Sequence, residues 1–189
     1  INTTTTGKVA GILAEPIQGV GGFITPPDAY FNIVADIIHE HGGIFISDEV
    51  QTGFGRTGKT WGIQHSGVEP DMITVAKGIA NGMPLAAVVT TKDIADTLQK
   101  NTISTFGGNP VSSAAANATL EIIERDELKA NANEMGEILK DGLIKIQSDH
   151  REVIGEVRGK GLMVGLELVV DETKKDRTPN PDAVDRLME

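Results

Sequence analysis

Cysteine is absent from the 189 residues, so disulfides, thiolate zinc sites and cysteine nucleophiles are excluded. A cysteine-free chain fits a reducing compartment. Basic clusters are also missing, and the net charge is −10. A nucleic-acid face is therefore not expected, and an anionic ligand must be held by local dipoles and single cations. No apolar run approaches the roughly 18 residues of a membrane span. No signal or transit segment stands out. Aromatics are few, and Trp61, the lone tryptophan, reads as a packing residue. The four histidines, His39, His41, His65 and His150, show no metal-ligand spacing. The N-x-[ST] matches at Asn2 and Asn117 mean little without a secretory context. The chain starts at Ile1 and stops inside the helix-like DAVDRLME, so a fragment of a longer protein is expected.

What is present is a series of short apolar runs. VAGILAE (9–15), GGIFISD (42–48) and DMITVAK (71–77) each end in a charged residue, and PLAAVVTT (84–91) is a fourth. Continuously apolar segments of this length suit strands buried on both faces of a parallel sheet. Between the first two lies TPPDAYFNIVADIIHEH. Thr25 is expected to cap a helix there, with Pro26 at its first position, Asp28 completing a capping box, and Tyr30, Val34, Ile37 and Ile38 on one face. Strand, helix, strand of this length reads as a βαβ unit.

A second helix is expected from Asn109 as cap and Pro110 onward. A third is expected from about Asp126 to Ser148, with Leu128, Ala132, Met135, Leu139, Leu143 and Ile146 aligned. After His150, EVIGEVRGKGLMVGLELVV reads as two strands around a glycine-rich turn, and DETKKDRTPN reads as a surface loop. The domain division expected is 1–126 and 127–189.

Residues Gly53 to Thr60 fit G-x-x-x-x-G-K-[ST], the spacing of a nucleotide phosphate loop. Such a loop works when it opens directly into a helix whose dipole and amides face phosphate. Here Gly62, Gly67 and Pro70 interrupt the segment after Thr60, and Gly53 lies five residues past the apparent strand end. A glycine-rich connection explains the stretch better than a nucleotide-binding module, which stays as the weaker alternative.

Glu15, Asp48 and Lys77 all fall at carboxyl ends of strands, where open α/β sheets bind ligands. Each alone is most simply a solvated strand end. Together, each followed by glycine-rich sequence, they suggest a site. A lysine in such a crevice suits imine chemistry, because burial or nearby cations depress its pKa and leave a nucleophilic amine. A carboxylate facing it suits a protonated ring nitrogen. That pairing describes pyridoxal phosphate.

AEPIQG (14–19), GGIFISDEVQTGFGRTGK (42–59), PDMITVAKGIANGMPLAAV (70–88), STFGGNP (104–110) and VRGKGLMVGLEL (157–168) resemble, in order and spacing, the class III aminotransferases, most of all their alanine–glyoxylate aminotransferase-like branch. The resemblance implies an α/β, fold-type-I architecture. This chain would supply the C-terminal part of the large, mostly parallel cofactor domain and the start of a smaller α+β domain. It implies pyridoxal 5′-phosphate as cofactor, with Lys77 as the Schiff-base lysine and Asp48 on the pyridine nitrogen. Val50 would pack on the ring, and Gln51 would sit near the ring hydroxyl. Thr105, helped by Ser104, would reach the phosphate of a partner subunit's cofactor, which implies a homodimer with shared sites. Arg158 would clamp a substrate carboxylate, and Glu15 would pair with it as a gate.

The implied reaction is amino transfer from an amine or amino acid to a keto acid of the pyruvate or glyoxylate type. A decarboxylase or aminomutase of the same family is the alternative. The implied location is the cytoplasm, or the mitochondrial matrix in a eukaryote. Family members are longer, and their N-terminal phosphate loop and ring-stacking aromatic do not appear in this sequence.

Overall fold

The computed structural model describes residues 1–189, the side chain of Glu172 excepted. A four-stranded sheet is built from β1 (Gly11–Ala14), β2 (Ile44–Asp48), β3 (Met72–Val75) and β4 (Ala87–Thr90), in that spatial order. The first three strands are parallel. Leu13 pairs with Ile46, and Asp48 pairs with Thr74. Their carboxyl ends therefore lie along one rim.

β4 departs from the parallel pattern expected of it. It runs antiparallel to β3, Ile73 facing Val89, and its Val88 and Val89 are more than half exposed. The connection explains the direction. Only residues 76–86 separate β3 from β4, fewer than the dozen or so that a parallel crossover needs.

Between β1 and β2, helix α1 covers Tyr30–Glu40. Thr25 does not cap it: the Thr25 hydroxyl donates to the Phe23 carbonyl, and the cap position is Ala29, with no side-chain bond. The paired prolines 26 and 27 delay the helix, and the Pro27 carbonyl accepts from the Tyr30 N–H at 2.9 Å. The later start also shifts the apolar stripe. Phe31, Ala35 and Ile38 are buried, whereas Tyr30 and Ile37 are exposed. Phe31 meets Phe45 of β2 with ring centroids 5.7 Å apart, and Ala35 and Ile63 complete this core. Trp61 packs on its edge and stands against Phe54 at 5.1 Å.

The short helix α2 (Lys92–Ala95) leads toward the loop before α3 (Pro110–Arg125). Asn109 caps α3 as its sequence requires: its side-chain oxygen accepts from the Ser112 N–H at 2.9 Å, with Pro110 at the first position. Glu127 takes a left-handed conformation, φ +50°, and turns the chain into α4 (Leu128–Asp149). The buried line of α4 is Ala132 and Gly136, four residues apart. Leu139 and Ile146, expected in that stripe, are 45% and 48% exposed.

β5 (Ile154–Lys160) and β6 (Met163–Asp171) form the antiparallel hairpin that the glycines at its tip indicate. The supposed surface loop after it folds further. A 3₁₀ turn, Glu172–Lys174, leads to β7 (Asp176–Pro179), which pairs with β6 as a fully exposed edge strand. α5 (Pro181–Met188) comes next, capped by Asn180.

The hairpin tip is wedged between α4 and the loop after β2. A methyl group on Gly161 would lie 2.4 Å from the Thr57 carbonyl carbon, and one on Gly136 would lie 2.2 Å from the Gly161 carbonyl oxygen. The Leu162 N–H donates to the Arg56 carbonyl at 3.0 Å.

Candidate active site

The site residues come from the rim where β1, β2 and β3 end. Glu15 follows β1, Asp48 closes β2, and Lys77 stands two residues beyond β3. Asp48 faces Thr74, three residues before Lys77. Strand spacing and chain reach keep the two Cα atoms within about 15 Å. Two side chains across that span can both address one small ring.

Lys77 adopts φ +46°, a left-handed conformation rarely taken by a residue with a side chain. It follows an extended Ala76 and opens a 3₁₀ turn, Lys77–Ala80, that ends at a second left-handed residue, Asn81. Such conformations cost on the order of 1–2 kcal/mol and gather where function requires them. The Lys77 side chain is exposed and makes no ion pair among the described residues.

It lines a cleft of about 630 Å³ together with Val50, Gln51, Phe54 and Arg56, closed on the far side by residues of α3, α4 and the hairpin tip. Among the described residues, Lys77 and Arg56 are the only charged ones in its lining, and both are cations. Arg56 lies within the Gly53–Thr60 stretch, but the sequence gives it no role of its own.

Asp48 is half-buried at the rim, outside the cleft lining. One of its oxygens accepts from the Val50 N–H at 3.0 Å, which sets the turn that places Val50 and Gln51 in the cleft. Gln51 in turn donates to Glu15 at 3.3 Å, and the same Glu15 oxygen accepts from the Gly19 N–H at 3.0 Å.

Glu15 and Arg158 are not brought together. Arg158, on β5, donates through Nε to the Gly22 carbonyl at 2.9 Å and through one terminal nitrogen to Glu156 and Glu167 at 3.1 and 3.0 Å. Its side chain is only 12% exposed and does not line the cleft. A guanidinium held by two carboxylates and a carbonyl is a cross-link between the hairpin and the 19–23 loop. The gate implied for Glu15 and Arg158 has no contact here to act through.

Thr105 and Ser104 lie in a fully exposed loop before α3, away from the cleft, flanked by Ile103 and Phe106 at 94% and 81% exposure.

Residues Gly53 to Thr60 form turns, not a phosphate loop entering a helix. A 3₁₀ turn, Gly62–His65, comes after them, and a methyl on Gly58 would fall 2.9 Å from Asn133 Oδ1 of α4. That glycine serves close packing. His65, beside this loop, is held below its ordinary pKa by burial, against the raising effect of its hydrogen bond to the Thr57 carbonyl.

Glu49 went unassigned in the sequence, although strand alternation turns it away from Asp48 and inward. It is completely buried.

The donor set fits pyridoxal phosphate. An unpaired lysine amine faces a cleft with an apolar wall at Val50 and an amide at Gln51, and a carboxylate with one oxygen bound only by a neighbouring N–H lies on the same rim. Such groups suit an aldehyde, a flat ring and a ring cation in turn.

The profile described as "Aminotransferase class-III" matches residues 1–189. The chain is 49% identical over 176 residues to the mitochondrial alanine–glyoxylate aminotransferase 2 homolog 2 of Arabidopsis thaliana, and 45% identical over 175 residues to the mitochondrial alanine–glyoxylate aminotransferase 2 of Homo sapiens. These matches take in 93% and 91% of the chain but only 36% and 34% of the relatives, so it spans about a third of their length. An alanine/serine racemase of Pyrococcus horikoshii is 44% identical over 95% of the chain and 37% of its own.

Among solved structures, an aminotransferase of Bacillus anthracis superposes with a TM-score of 0.87 at 38% identity, over 93% of this chain and 41% of that one. An S-selective transaminase from Arthrobacter, with alanine bound, gives 0.82 at 40% identity, over 90% and 36%. A match running the whole length of the sequence, together with this superposition, places the chain in the class III aminotransferase family.

Proposed function

We propose that this chain is the lysine-bearing part of a pyridoxal-phosphate-dependent aminotransferase that moves an amino group from an amine or amino acid to a keto acid such as pyruvate or glyoxylate. The observation that carries the reading is the left-handed, unpaired Lys77 facing a cleft with Val50 and Gln51, beside Asp48 on the same sheet rim. When bound, pyridoxal phosphate supplies an aldehyde for amine exchange and a cationic ring that draws electron density from the substrate α-carbon.

The residues would divide the remaining work. Lys77 would hold the aldehyde carbon and, once released, carry the proton at the substrate α-carbon. Asp48 would keep the ring nitrogen protonated, Val50 would pack on the ring face, and Gln51, oriented by Glu15, would address the ring hydroxyl. Thr105, with Ser104, would serve the phosphate of a second subunit, in a homodimer with shared sites.

Arg158 suits the cross-link better than a substrate clamp, and Arg56 is the arginine that lines the cleft. Residues 1–126 would belong to the large domain and 127–189 to the small one. Among the described residues no helix is long and apolar enough to cross a membrane. The relatives named mitochondrial favour the matrix in a eukaryotic host, and the cytoplasm is the site elsewhere.

A second reading keeps the same lysine for a different outcome, because relatives include an alanine/serine racemase and a leucine/methionine racemase. One experiment separates them. Full-length protein is incubated with pyridoxal phosphate, reduced with borohydride, and peptide-mapped. The label is expected on Lys77, and a label elsewhere removes the assignment. The unreduced enzyme is then given L-alanine with glyoxylate. Glycine formation supports transfer, whereas D-alanine without glycine supports racemisation.

A further inference from the structure

Glu49 sits between two residues given to the cofactor, Asp48 and Val50, yet it is completely buried and has no cationic partner among the described residues. Such burial is costly unless the carboxylate is fully hydrogen-bonded. Here it is. One oxygen accepts from the Ser47 hydroxyl at 3.1 Å and the Ile63 N–H at 2.9 Å. The other accepts from the Thr52 hydroxyl at 2.5 Å and the Gly62 N–H at 2.8 Å. The backbone of Glu49 is engaged as well. Its N–H donates to Thr74 of β3 at 2.9 Å, and its carbonyl accepts from the Gly53 N–H at 3.0 Å. Every polar atom of the residue thus ties the 48–53 turn to something fixed: β2, β3, the turn itself, and the 3₁₀ turn at Gly62–His65.

We infer that Glu49 is a positioning residue that holds the Asp48–Gln51 turn in the register the cofactor requires; the inference rests on the pyridoxal phosphate reading above. An apolar side chain of this volume would fill the space, but it could not fix direction. Four hydrogen bonds to two oxygens fix the carboxylate plane, and through it the turn on either side. The arrangement also demands an acid. Each oxygen receives one backbone N–H and one hydroxyl. Whichever way a glutamine amide is turned, its NH₂ meets a backbone N–H that cannot reverse its role.

The test uses full-length protein and reads the dissociation constant for pyridoxal phosphate and the absorption maximum of the bound cofactor, well below the melting temperature. Glu49→Gln is expected to weaken cofactor binding by about tenfold or more, the loss of one buried hydrogen bond to a charged group, and to move the absorption maximum. Phe31→Leu, in the core between α1 and β2, serves as the stability control. It is expected to lower the melting temperature while leaving cofactor affinity within about twofold. If Glu49→Gln does not fold, Thr52→Val, which removes one donor, carries the test with an expected weakening of about threefold.

Wild-type affinity and spectrum in a folded Glu49→Gln variant would overturn the inference. So would an equal loss of affinity in Phe31→Leu, or wild-type affinity in Thr52→Val where Glu49→Gln is unfolded. Failure of the wild-type protein to bind pyridoxal phosphate would instead sink the underlying reading.

Discussion

Lys77 and Arg158 are both cations on strand-derived segments, and the sequence marks both as site residues. The structure treats them in opposite ways. Lys77 stands in a left-handed backbone conformation, exposed, with no ion pair among the described residues. Arg158 is 12% exposed and bound by two glutamates and a carbonyl. A cation held by two carboxylates and a carbonyl holds structure together. One left unsatisfied at a strained position, in a cleft, is available for a ligand.

The sharpest break of this comparison is Lys77→Ala in the full-length enzyme. Turnover is expected to fall by about 10³-fold or more, because both bond formation and proton transfer are lost. The melting temperature without cofactor is expected to hold. Retained turnover, or a large loss of stability, would show that the lysine is structural after all.

Arg158→Ala is expected to do the reverse. It leaves Glu156 and Glu167 facing each other with Arg177 at 3.7 and 3.6 Å, so unfolding stability should drop by about 1–2 kcal/mol, moderated because both glutamates are partly exposed. The KM for a carboxylate donor should change by less than about twofold. A KM raised severalfold with stability intact would restore Arg158 as the substrate clamp.

Asn109→Ala removes the cap of α3, which stands beside the exposed Thr105 loop, and denaturant unfolding should register a loss of about 1 kcal/mol.

The smallest effect is expected at the opposite rim. There Asp71 accepts from the Phe45 N–H at 2.7 Å and from His39 at 2.8 Å. Burial alone would raise its pKa, but these hydrogen bonds outweigh it and hold the carboxyl below its ordinary 3.8. A depressed carboxyl stabilises the fold above pH 3.8, and that stability disappears as pH falls through the lower folded value. Asp71→Asn should therefore cost less than about 1 kcal/mol at pH 7, and the difference from wild type should shrink below pH 4 in acid titrations of stability. A difference independent of pH would separate Asp71 from that linkage.

Much of this architecture is legible in the sequence, for identifiable reasons. The first three strands announce themselves because apolar runs stop at charged residues, and the same feature puts Glu15, Asp48 and Lys77 on one rim. Asn109–Pro110 declares a helix start because capping is local chemistry. Features set by distant partners are hidden. The direction of β4 follows from connection length. β7 carries no apolar alternation because nothing covers it. The role of Glu49 depends on N–H groups thirteen and fourteen residues away. The resemblance implies a ligand role for Arg158, and it carries no information about Glu167 across the hairpin.

The glycine stack of Gly136, Gly161 and the Thr57 backbone has a mechanical corollary. Main chain rests on main chain there, with no flexible side chain to absorb a shift. A tilt of the hairpin would press directly on the backbone of residues 56 and 57, and so on the rim of the cleft at Arg56. Alanine at Gly136 would act as a chock driven into that bearing.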